Sequence, residues 1–153
     1  MAEISFDEGL VVVIDEPGNC TDVERQLAGV LFESGYVRES YAQAIVDREA
    51  SYPTGLEFGE HSIAMPRCDI EHVNGPAICM GVLKKPVAWH RMDDPESTCN
   101  AELVIMLALN EAHAHLEMLQ KVVALLQNQD LVAEIVSSDS AAEAYSLAKD
   151  QLL

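Results

Sequence analysis

Apolar residues fall along the chain in two rhythms, and their order outlines a fold. Leu10-Val11-Val12-Val13-Ile14 is a short β-branched run closed by the turn signal Glu16-Pro17-Gly18-Asn19, which predicts a strand. Thr21-Asp22-Val23-Glu24 then has the layout of a capping box, with the Thr21 hydroxyl and Glu24 carboxylate satisfying free first-turn amides. Val23, Leu27, Val30 and Leu31 recur at helical spacing, and Gly35 supplies the stop. A second helix is predicted from about Ser40 to Ala50, with Tyr41, Ala44 and Ile45 facing inward and Pro53 and Gly55 ending it.

Strand patterning returns at His61–Met65 and Ala77–Leu83, and again at Val87–His90 after Lys84-Lys85-Pro86. Residues 93–98, DDPEST, read as a polar loop. Residues 102–109, ELVIMLAL, are almost continuously apolar, as in a strand covered on both faces. Asn110 is placed to cap a following helix whose stripe is Leu116, Leu119, Val122, Val123 and Leu126. Leu131–Val136 predicts a short helix, and Ser140-Ala141-Ala142-Glu143 a second capping box opening a terminal one. Helices at both ends with strands between them predict a mixed β-sheet flanked by helices, in one α/β domain spanning residues 1–153.

Composition narrows the function classes. Nine basic and 26 acidic side chains give a net charge of −17, and no basic cluster exceeds Lys84-Lys85, which argues against nucleic acid as a partner. No apolar run is long enough to span a membrane, and the acidic start MAEISFDEGL lacks the layout of a signal peptide, so a cytoplasmic location is expected. Cys20, Cys68, Cys79 and Cys99 are widely spaced with no CxxC pair, and are expected to be free thiols, several of them buried. His113 and His115, two apart on a helix, cannot chelate together, and no metal or cofactor is implied. Phosphate-binding glycine loops, GxSxG and HExxH are absent.

What remains is an ordered set of pieces: Arg48-Glu49 ending the second helix, Thr54-Gly55 in a turn, Ala64-Met65-Pro66-Arg67 closing a strand, and His115-Leu116-Glu117-Met118-Leu119 opening a helix. In this order they resemble the enzyme IIA components of the bacterial sugar phosphotransferase system, fructose/mannitol-type superfamily. His61 before the strand and Cys68 after it make the stretch most similar to the galactitol-type branch. The resemblance implies a phosphoryl relay from the phosphohistidine of a small phosphocarrier protein to a cysteine of enzyme IIB, so those two proteins are the expected partners. It further implies that Arg48 and Thr54 hold the phosphoryl group and that His115 is a second active-site histidine.

Position 67 departs from that pattern. The family's acceptor is a histidine, whose neutral imidazole offers a lone pair at neutral pH. Here it is Arg67. A guanidinium, with a pKa above about 12, can grip a phosphate through two parallel hydrogen bonds but has no lone pair with which to attack phosphorus. Three explanations are open: an engineered or variant carrier, a non-phosphorylatable binding or regulatory paralogue, or a takeover by His61 or His115. Each site residue also has an ordinary role open to it. Arg48 can pair with a helix C-terminus, Thr54 can stabilise its turn, and His61 and His115 can simply pack.

Overall fold

The apolar run that begins after Glu102 forms the centre of the molecule. A computed structural model describes residues 4–153, and residues 1–3, the start of the acidic segment noted above, lie outside the described residues. The strands β1 (Val11–Ile14), β2 (Gly55–Leu56), β3 (Ser62–Ala64), β4 (Ala77–His90) and β5 (Thr98–Ala108) form one sheet in the order β1-β4-β5-β3-β2. β1 pairs with β4 and β3 with β5 in parallel, whereas β4–β5 and β2–β3 are antiparallel, so the sheet is mixed as expected. Leu103 to Leu109 are all solvent-inaccessible, on both alternating faces of β5. Two groups of helices provide that cover. α1 (Cys20–Glu33) packs with α2 (Tyr41–Ser51) and lies on β4 and β5; α3 (Ala112–Gln127), α4 (Gln129–Val136) and α5 (Ala141–Leu152) pack with one another and against β1, β4 and β5.

Several boundaries differ from the sequence reading for identifiable reasons. α1 is capped by Asn19, not Thr21. The Asn19 side chain accepts from the Asp22 amide at 2.9 Å, and the Asp22 carboxylate accepts from the Asn19 amide at 3.1 Å. Gly18, at φ +76°, permits the turn that puts Asn19 there; a Cβ at Gly18 would meet Asp22 Oδ2 at 2.5 Å. Glu24, freed from capping, turns inward and is 1% exposed. The strands at Ala77–Leu83 and Val87–His90 are one strand, interrupted in register between Val82 and Val87, where Pro86 can supply no amide. α3 also departs from its predicted stripe. Its buried residues are Met118, Val122, Leu125 and Leu126, while Leu116 is 54% exposed. Met118 and Leu125 rotate the apolar face away from Leu116. Asn110 does not cap the helix: Glu111 stands at the N-cap without a side-chain bond, and of the first-turn amides only that of Ala114 is engaged, donating to the Glu111 carbonyl at 3.2 Å. Ser140 does cap α5, accepting from the Glu143 amide at 3.2 Å.

Candidate functional site

The backbone around Pro66 fixes the site. Pro66 accepts a hydrogen bond from the Leu107 amide at 2.9 Å, and Arg67 makes a parallel bridge to Leu107, so Arg67 extends the β3 line alongside the end of β5. The Tyr41 hydroxyl, fully buried, donates to the Leu107 carbonyl at 2.7 Å and ties α2 to the same point. At the other end of α2, Glu49 accepts from both the Thr54 amide and the Thr54 hydroxyl at 2.7 Å, and the Thr54 carbonyl accepts from the Met65 amide at 3.1 Å. This clamp sets the C-terminal end of α2, and with it Arg48, beside the Pro66-Arg67 step. α3 follows β5 after a short turn and brings Ala112 and His115 to the same place.

The result is an open cavity of about 490 Å³ lined by Arg48, Arg67, Ala112 and His115, with Cys68, Asp69, Ile70 and Glu71 forming the rest of its wall. Three of the five residues singled out in the sequence therefore share one site. Thr54 and His61 do not line it. The Thr54 hydroxyl is committed to Glu49, so it holds the turn and does not face a ligand. His61 is fixed elsewhere: its Nδ1 lies 2.9 Å from Glu102 Oε1, and its backbone exchanges hydrogen bonds with the Gln129 amide at 2.8 and 3.0 Å. Glu102 opens the apolar run of β5, where its partner could not be read from sequence.

Charge distinguishes this cavity. Among the described residues, no carboxylate forms an ion pair with Arg48 or Arg67, although the chain carries 26 acidic side chains. The Arg48 guanidinium lies 5.1 Å from the centre of the Tyr52 ring, and its Nε is buried without a hydrogen-bond partner. Burial, and then the Arg48 charge, lower the Arg67 pKa from its usual value, and the guanidinium still stays charged at neutral pH. Burial, followed by Arg67 and Arg48, also lowers the His115 pKa against an opposing effect of Asp69. His115 is thus neutral at pH 7, and its Nε2 is buried and unpartnered. Cys68 beside them is not a nucleophile, because burial and Asp69 push its thiol up to about 12. Two unpaired guanidiniums, the first turn of a 16-residue helix without a side-chain cap and a neutral imidazole meet at one space, a combination suited to a multiply charged oxyanion.

Residues 5–151 match the family model "Phosphoenolpyruvate-dependent sugar phosphotransferase system, EIIA 2". The chain belongs to this family. Its EIIA 2 sequence is 27% identical over 117 residues to the galactitol-specific EIIA component of Escherichia coli K12, covering 76% of this chain and 77% of that protein. It is 29% identical over 133 residues to the fructose-specific EIIABC component of Bacillus subtilis, covering 86% of this chain but 18% of that larger protein. The EIIA 2 fold here also superposes on the crystal structure of the mannitol IIA of Escherichia coli with a TM-score of 0.78 at 22% identity, covering 94% and 99% of the two chains. The same mannitol IIA in complex with phosphorylated IIB gives a TM-score of 0.79 at 22% identity, covering 97% and 99%.

Behind the cavity lies a feature the sequence did not reveal. Glu24 of α1 and Glu49 of α2 are both buried, and burial followed by the Glu49 charge pushes the Glu24 carboxyl up to about 9. Glu24 keeps its proton, while Glu49, with two donors from Thr54, is the better-stabilised anion of the pair. The sequence assigned the Glu24 carboxylate to a capping box, which hid its burial beside Glu49. No helix among the described residues is long and apolar enough to cross a membrane.

Proposed function

We propose that this EIIA domain acts at the IIA station of a sugar phosphotransferase system of galactitol- or fructose-like type, and that Arg67 makes it a non-covalent binder of a phosphoryl group. Its partners in this reading are the phosphocarrier protein and an enzyme IIB. Ile70 and Leu116, both large and exposed, flank Arg67 and His115 and offer apolar contact area for such a partner. The observation that carries the reading is the pair of guanidiniums, Arg48 and Arg67, gathered at one cavity and, among the described residues, in no ion pair with the Asp69 and Glu71 carboxylates of its wall.

In a covalent carrier, an imidazole at position 67 would attack phosphorus, and flanking cations would disperse the charge of the transferred group. Here the attacking group is itself a cation. The phosphoryl group can be held between Arg48 and Arg67, with the first turn of α3 beside it, and it stays bonded to whatever carries it. His115 supplies a neutral hydrogen-bonding edge that a bound dianion would make easier to protonate.

Titration with inorganic phosphate, followed through the His115 imidazole resonances by NMR, tests this. Saturable shifts are expected, with the His115 pKa rising when phosphate binds. Arg67→Gln should weaken binding by about 10- to 100-fold, the worth of one charge-assisted contact. Absence of saturable shifts at His115, or an unchanged affinity in Arg67→Gln, would overturn the reading.

A further inference from the structure

The cavity at Arg67 continues past Arg48. An adjoining open cleft of about 540 Å³ shares Arg48, Cys68 and Asp69 with it, so the two form one groove. One wall is a stripe of α2. Gln43, Asp47 and Ser51 recur at intervals of four with Arg48 beside them, and the stripe from Ser40 to Ser51 runs roughly 16 Å. The opposite wall is the segment from Cys68 to His72, pinned at its far end by a 2.7 Å hydrogen bond between Ser40 Oγ and His72 Nδ1.

Charge divides this groove in two. The Arg67 end holds a second guanidinium with Glu71 in its wall, the α2 end holds Asp47 and His72 with neutral amide and hydroxyl groups, and Arg48 and Asp69 belong to both. One Asp47 oxygen accepts from Gln43 Nε2 at 2.8 Å; no hydrogen bond among the described residues engages its other oxygen, the Ser51 hydroxyl or the Tyr52 phenol. Tyr52 is 65% exposed and sits where Arg48 joins the two halves.

We infer that this groove binds a free phosphomonoester of a polyhydroxylated carbon chain, a phosphorylated sugar or sugar alcohol. Its phosphoryl group lies between Arg48 and Arg67, and its hydroxyls lie along Asp47 and Ser51 beside the Tyr52 ring. Polarity selects this class. The Asp47 carboxylate excludes a second anionic end, while hydroxyls can donate to it and exchange hydrogen bonds with Ser51 and Tyr52. The apolar C–H face of such a chain suits the exposed aromatic ring. The phosphoryl half rests on the function proposed above; the hydroxyl half rests on α2 alone. A phosphorylated small molecule would then compete with a phosphorylated protein for the same two arginines.

Isothermal calorimetry on the full chain separates the two halves. The ligands are glucose 6-phosphate, glucitol 6-phosphate, inorganic phosphate and unphosphorylated glucitol. At least one of the two sugar phosphates is expected to bind about tenfold or more tightly than inorganic phosphate, and the tighter one identifies a ring or an open chain as the source. Unphosphorylated glucitol should give no saturable heat. Asp47→Asn combined with Ser51→Ala, both at exposed positions, should shrink the sugar-phosphate advantage to within about threefold, and Tyr52→Ala should lower it independently. Equal affinity for inorganic phosphate and both sugar phosphates would overturn this inference and leave the arginine grip standing. So would variants that keep the full advantage, or glucitol binding as well as its phosphate. No binding by any phosphate would remove the grip and the inference together.

Discussion

Replacing Glu24 with glutamine isolates the effect of the buried acid held between α1 and α2. In the folded chain this carboxyl is raised from 4.5 to about 9, first by burial and then by the charge of Glu49. Its unfolded value lies near the bottom of that window, so between the two the folded state holds a proton that the unfolded state has lost. The sign follows directly: stability falls as pH rises through the window, and it is greatest below the unfolded pKa. One proton corresponds to roughly 1.4 kcal/mol per pH unit, so moving from pH 6.5 to 8.5 should cost the natural chain about 3 kcal/mol through this group. Glutamine has the same shape and cannot titrate. The difference between the natural chain and Glu24→Gln cancels the contributions of titrating groups that do not contact Glu24. Urea unfolding at both pH values should show the natural chain losing about 3 kcal/mol more than the variant. In a thermal scan this is about 6–12 °C of additional shift for a chain of this size. Equal losses in the two proteins would refute the assignment of a retained proton to Glu24.

Other features give sharp expectations. Thr54→Val keeps the backbone bond to Glu49 but removes the hydroxyl one, leaving a buried carboxylate short of a donor; a loss of about 1–3 kcal/mol is expected by urea unfolding. The Lys84 ammonium donates to the Val136 carbonyl at 3.0 Å and also to the Ser138 carbonyl, closing the C-terminus of α4. Lys84→Met should lower the melting temperature by about 2–6 °C, measured by circular dichroism. Gly18→Ala places a Cβ against Asp22 Oδ2 at a positive φ and should destabilise the chain by about 1–2 kcal/mol, whereas Gly29→Ala, in α1 with open space around it, should be neutral or stabilising.

The sheet and its helical cover were legible because they rest on periodicity. The run through Leu103 to Leu109 announces a doubly covered strand whatever its neighbours, and Gly35, at φ +84°, ends α1 as its residue type demands. Boundaries failed where two residues could do one job. Asn19 and Thr21 are both good caps, and Gly18 decided for Asn19. Leu116 and Met118 could both anchor α3, and packing selected Met118. Position 67 and its neighbours Arg48 and His115 could be named through the family resemblance, since their meeting depends on long-range pairing that no local pattern encodes. Thr54 and His61 show the limit of that route. Each has a polar partner distant in sequence or hidden in a helix, Glu49 for one and Glu102 for the other, and those partners turn a suspected ligand contact into a structural tie.

The central claim is that Arg67 lets the domain hold a phosphoryl group without carrying it. Incubation with phosphoenolpyruvate, enzyme I and the phosphocarrier protein, followed by intact-mass measurement, tests it most directly. The natural chain should keep its mass, and Arg67→His should gain one phosphoryl group that acid removes. A phosphoryl group on the natural chain, at His115 or elsewhere, would contradict the account.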